Sequence, residues 1–187
     1  GVSAETRRIE ADTGDLPGQF AQIARRFDLS VIGQLERGRD HRTASIVIEA
    51  ALFDSGRPVL IVPFIQKDGL KLDHVMVCWD GSRAATRAIA DAMPFLIRSG
   101  KTSIAIADTQ SAKRTDLPGA DIATHLARHG VNATMERIPV SKIDVSNTIL
   151  SYAADAGADL IVMGGFTGIP GCGNLFLAGR HVVCLPQ

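Results

Sequence analysis

The chain has 187 residues, enough for one sizeable core or for one domain and part of another. Its 20 basic and 20 acidic side chains cancel, and no segment carries the clustered basic stripe that would neutralise a phosphate backbone, so nucleic acid is not an expected partner. The apolar runs are too short to span a bilayer and no signal peptide is read, so the expectation is a cytoplasmic protein without membrane contact.

In chain order, short apolar runs alternate with amphipathic stretches, the pattern of βαβ units and a parallel sheet. Strands are expected at 5–10, 29–33 and 58–63, with helices at 17–27 and 43–53, the second stopped by Gly56. A linker over 66–73 follows. Beyond it come strands at 74–79, 103–107, 134–138 and 159–163, and helices at 83–98, 119–129 and 145–156. Ala85, Ala88, Ile89, Ala92 and Leu96 form the apolar stripe of the helix at 83–98. Pro94 lies in the same helix, removes a backbone donor and is expected to kink it.

Three cysteines with no C-x-x-C pair argue against a disulfide framework. Cys78 falls within an apolar strand and reads as core, while Cys172, His181 and Cys184 make only a weak metal signal. His41, His125 and His129 fall on polar faces or loops and read as solvated. No Ser/His/Asp set or carboxylate pair can be argued from spacing.

The stretches IARRFDLSVIG and YAADAGADLIVMG both read as helix, turn, buried strand and glycine, and their last residues, Gly33 and Gly164, lie 131 positions apart. That separation is a domain's length, so the chain reads as two copies of one unit, the first beginning in its middle. VMVCWDGS places Asp80, Gly81 and Ser82 between a strand and a helix. Spacing alone favours simple helix capping by Asp80 or Ser82; the alternative puts Asp80 in the crevice where open α/β sheets bind ligands. The two are compatible.

The strand with DGS and its alanine-rich helix, the later DLIVMGG, and the earlier IEAALFDSGRPVLIVP together resemble the universal stress protein family in its tandem form, in order over residues 4–165. The resemblance implies an α/β, Rossmann-like, doubly wound parallel sheet of strand order 3-2-1-4-5. Residues 1–65 would be the latter part of a first repeat, and 74–187 a second repeat with an atypical tail from about 165. It further implies a regulatory module in stress response with no catalytic task, pairing as homodimers or between repeats of one chain. In one branch it binds ATP or AMP, with Mg²⁺ accompanying ATP. Carried over position by position, Asp80, Gly81 and Ser82 would face the adenine and ribose, Ala107 and Asp108 would end the neighbouring strand, and Met163, Gly164, Gly165 and Gly168 would lie near the phosphates.

The phosphate loop departs from the family's G-x2-G-x9-G-[ST]. Counted from Gly164, the pattern meets Thr167, Leu177 and Ala178; counted from Gly165, it meets Gly168 but then Ala178 and Gly179. A P-loop fails at Asn174 and Leu175, and GCGNLF lacks the last glycine of a dinucleotide fingerprint. ATP binding is therefore expected to be weak or absent.

Of two origins for the tail, the leading one is an out-of-frame translation of an ancestral loop. With suitable codons, a shifted reading frame from near Gly165 spells YGHSRLREFVLGGATR, which resembles the family's loop and helix. Alternatively, LFLAGRHVVCLP is a shortened in-frame copy of LFDSGRPVLIVP, and RHVVCLP could pair as an edge strand. Two other functions compete with nucleotide binding. One is a structural pairing module. The other is an adenylating ATP-using enzyme, disfavoured because CWDGSRAA lacks an SGGxDS loop.

Overall fold

The computed structural model describes residues 3–6, 8–12, 14–34, 41–108, 119–140, 145–164 and 181–185, with 41–44 and 181–185 as backbone. Its elements run α1 (Leu16–Ala24), β1 (Ser30–Gly33), α2 (His41–Phe53), β2 (Val59–Val62), β3 (His74–Cys78), α3 (Arg83–Leu96), β4 (Lys101–Asp108), α4 (Ala120–Arg128), β5 (Ala133–Pro139), α5 (Val145–Asp155), β6 (Leu160–Gly164) and β7 (His181–Leu185). All seven strands join one sheet in the order β1-β2-β7-β6-β3-β4-β5. Counted from residue 74 onward, the five strands β5-β4-β3-β6-β7 follow the expected 3-2-1-4-5 order, with β3 as strand 1 and β7 as strand 5.

Strands β3 to β7 are mutually parallel, and so are β1 and β2, but β2 meets β7 antiparallel. The carboxyl ends of β3, β4, β5 and β6 therefore lie on one edge of the sheet, and those of β1 and β2 on the other. The structure thus places the segment at 58–63 against the latter part of the same chain. It also corrects the reading of RHVVCLP as an edge strand. β7 is interior, paired with β6 on one side and β2 on the other, because both neighbours would otherwise leave a row of backbone donors and acceptors unpaired. The strand expected at 5–10 is not found among the described residues there, and the sheet ends at β1 and β5.

Central strands read as continuous apolar runs because both faces are covered. On one face, Ile48, Ala51 and Leu52 of α2 and Ile149, Leu150 and Ala153 of α5 pack over Met76, Ala105 and Ile161. On the other, Ala88, Ile89, Ala92 and Leu96 of α3 and Ile122 and Leu126 of α4 pack over Val75, Val77, Ile104 and Val162. The apolar stripe read from sequence in α3 is the one that is buried.

Pro94 does not end α3, which continues to Leu96. The proline falls in the last turn, where the carbonyl it leaves without a donor belongs to exposed Ala90 and can be hydrated. A cluster of polar side chains is enclosed at the amino ends of β3 and β4. His74, buried at the start of β3, has Nδ1 3.1 Å from the Ala156 carbonyl oxygen and Nε2 2.8 Å from the Ser103 hydroxyl. Its backbone N–H donates to Asp159 Oδ2 at 3.0 Å. None of the described helices is long and apolar enough to cross a membrane.

Candidate functional site

Helices α3 and α4 lie on one face of the sheet and α5 on the other, so the chain changes face between neighbouring strands β3 and β6. A crevice opens at the carboxyl ends of strands on either side of such a reversal, because the flanking helices depart in opposite directions. The segment Asp80–Gly81–Ser82 leaves β3 at that point. Asp80 is exposed and its Oδ1 accepts the Ser82 backbone N–H at 2.9 Å. Gly81 has φ +76°, a left-handed conformation in which a Cβ would be strained. Ser82 is the N-cap of α3: its hydroxyl accepts the Ala85 N–H at 3.1 Å. Capping is thus the observed role of Ser82, and the Asp80 carboxylate braces the turn through one oxygen.

On the other side of the crevice, β6 ends in buried Met163 and Gly164. A Cβ on Gly164 would lie 2.6 Å from the Ala84 carbonyl carbon and 2.7 Å from the Ala85 nitrogen, so only glycine lets β6 run this close to the first turn of α3. Met163 turns its side chain into the core with Met76 and Ile161. Ala107 and Asp108 end β4, both half-buried, and the Asp108 carbonyl accepts the Val140 N–H at 3.2 Å. Gly165 and Gly168 lie outside the described residues, as does Cys172 of the weak metal triplet. Among the described residues no group of three or more His, Cys, Asp or Glu is placed to hold a metal.

One neighbour was missed from sequence. Trp79, the chain's one tryptophan, is half-buried directly before Asp80 and packs on the α3–α4 side. Its position next to Asp80 was the available signal. Cys78 ends β3, and its thiol is pushed up to about 12, first by burial and second by the nearby Asp80 carboxylate. The group is a thiol, not a thiolate, at neutral pH, which removes it as a nucleophile.

With this geometry in view, solved structures provide the comparison. A universal stress protein from Archaeoglobus fulgidus DSM 4304 is similar over 91% of this chain and 65% of its own, at 20% identity and a TM-score of 0.67. The fold is that of the universal stress proteins. A protein of unknown function from Pseudomonas aeruginosa PAO1 is similar over 96% of this chain and 69% of its own, with 13% identity and a TM-score of 0.60. A universal stress protein family member from Burkholderia pseudomallei is covered completely by 64% of this chain, at 19% identity and a TM-score of 0.50. The chain therefore spans less than two thirds of the Archaeoglobus universal stress protein and more than one whole copy of the Burkholderia one. No protein-family model and no curated protein matches the sequence.

Proposed function

We propose that the chain is a universal stress protein-type regulatory module of tandem build, with a small-nucleotide site in the second repeat whose phosphate end is impaired. In this reading residues 1–65 are part of a first repeat, 66–73 the linker and 74–187 the second repeat. The observation that carries it is the change of face between neighbouring strands β3 and β6, the place where open α/β sheets form a crevice. Asp80 stands exposed at its mouth, where one carboxylate oxygen is free of the Ser82 bond and suits a ribose hydroxyl. The α3 amino terminus lies against Gly164. Asp80, Gly81, Ser82, Ala107 and Asp108 would take the base and ribose; Met163, Gly164, Gly165 and Gly168 would face the phosphates.

The displaced glycines of the sequence pattern argue for weak ATP affinity, since a triphosphate needs several converging N–H donors. The module has no catalytic task in this reading. Calorimetric titration with AMP and with ATP and Mg²⁺ tests it. Weak binding of either, abolished by Asp80→Ala, is the expected result. A low-micromolar dissociation constant for ATP overturns the impaired phosphate end, and no binding of either overturns the nucleotide site. A pairing module is the second reading, favoured by the β2–β7 junction within the chain.

A further inference from the structure

His125 and His129 are one helical turn apart on α4, the first in its last turn and the second at its C-cap. Both residues are exposed, as the sequence suggests. What the spacing alone leaves unsaid is how close the two imidazoles come: their ring centres are 4.8 Å apart and their planes are inclined by 58°. Residues four apart on a helix share a face, and histidines so spaced are a recurrent chelating pair.

The separation suits a shared metal ion. With metal–nitrogen bonds of about 2.0–2.1 Å, the ion lies roughly 3.2 Å from each ring centre, and nitrogen–metal–nitrogen angles between a right angle and the tetrahedral value put the two centres about 4.5–5.2 Å apart. The observed 4.8 Å falls inside that interval. We propose that His125 and His129 form a bidentate surface site for a divalent transition-metal ion of the zinc or nickel type, for which neutral imidazole is a suitable ligand. Because no third His, Cys, Asp or Glu joins the pair among the described residues, water completes the coordination and the ion exchanges freely. The pair is separate from the proposed nucleotide site, on the outer surface of a helix whose inner face, Ile122 and Leu126, covers the sheet.

The test is titration of the full chain with Ni²⁺ and with Zn²⁺ at neutral pH in a non-coordinating buffer, read by calorimetry and by the imidazole C–H resonances. Serine at Cys172 and Cys184 and alanine at His181 remove competition from the tail. One ion per chain is expected, with Ni²⁺ broadening the His125 and His129 resonances together. His125→Ala and His129→Ala should each weaken binding by at least about tenfold, since one imidazole alone does not chelate. Both positions are exposed, so each variant should melt as the parent does, which separates loss of a ligand from loss of the fold. Binding unchanged in both alanine variants, or broadening of His41 or His74 in place of this pair, overturns the proposal, as does the absence of binding below millimolar ion.

Discussion

Leu60 and Val183 stand opposite one another where β2 and β7 pair antiparallel, and the pairing is symmetric about them: Val59 faces Cys184 and Ile61 faces Val182. The separation of Leu60 and Val183, 123 positions, is also the shift that lays LFDSGRPVLIVP on LFLAGRHVVCLP. Applied together with the 131-position shift between Gly33 and Gly164, it carries the pairs Ser30↔Val59 and Gly33↔Val62 onto Ile161↔Val182 and Gly164↔Leu185, both of which are present. A local two-fold axis through the Leu60–Val183 pair relates β1–β2 to β6–β7. This register supports the tandem reading and, for the strand at least, the in-frame origin of the tail.

Removing β7 tests the junction. A chain ending at residue 180 leaves one side of β2 and one side of β6 unpaired, and β1 and β2 then have no connection through the sheet to the rest. Amide exchange at Val59 and Ile61, whose N–H groups face β7, should rise sharply while Val75 to Val77 stay protected. Equal protection of both sets would show that β2 does not depend on β7.

Gly164 and Gly33 occupy related places with opposite surroundings. At Gly164 a Cβ meets the backbone of Ala84 and Ala85, whereas at Gly33 nothing lies within 4 Å. Gly164→Ala should cost about 1–3 kcal/mol by overpacking against backbone that has little room to yield. Gly33→Ala should be neutral or stabilise by about 0.4–1 kcal/mol. Urea unfolding of the two variants beside the parent measures both, and equal effects would contradict the close approach.

Ser82→Ala removes the side-chain acceptor of the Ala85 N–H and should cost about 1 kcal/mol, with Ser82→Asp restoring most of it. A thermal melt of the three proteins checks this. If the loss is accompanied by weaker AMP binding that Ser82→Asp does not restore, the hydroxyl serves the ligand as well as the helix.

Cys78 couples stability to alkaline pH. Its thiol is raised in the folded chain to about 12 from an ordinary value of 9.0, so the folded state holds the proton more tightly than the unfolded one. Its contribution is complete below pH 9 and is lost progressively as the pH rises toward 12. Tyr152, raised by donating to Glu136 Oε2 at 2.6 Å, acts in the same direction above its ordinary value of 10.0. Denaturant midpoints from pH 8 to 11 should fall less steeply in Cys78→Ala than in the parent. In a chain with serine at Cys172 and Cys184, Cys78 should also react with a thiol reagent far more slowly than an unstructured cysteine, because little thiolate is present below its raised pKa.

The alternation of elements was legible from residue 14 onward because it rests on local signals. Continuous apolar runs such as Val75–Val77 and Leu160–Met163 mark strands covered on both faces, and the α3 stripe marks the side of a helix that must be buried. The turn at Asp80 was equally local, since a residue able to cap a helix shows its purpose within three positions of itself. Tertiary structure decided the rest. RHVVCLP carries nothing that distinguishes an edge from an interior strand; its place between β2 and β6 depends on two partners that are far away in sequence and have one side open. The segment at 5–10 has the composition of a strand, but its described residues join no sheet. Gly164 is one glycine among 18 until α3 comes within 2.6 Å of where its side chain would be. The spacing of His125 and His129 places them on one face, yet only the rotamers chosen in the folded helix bring the ring centres within 4.8 Å, because side-chain direction is set by packing and hydration that the spacing does not encode.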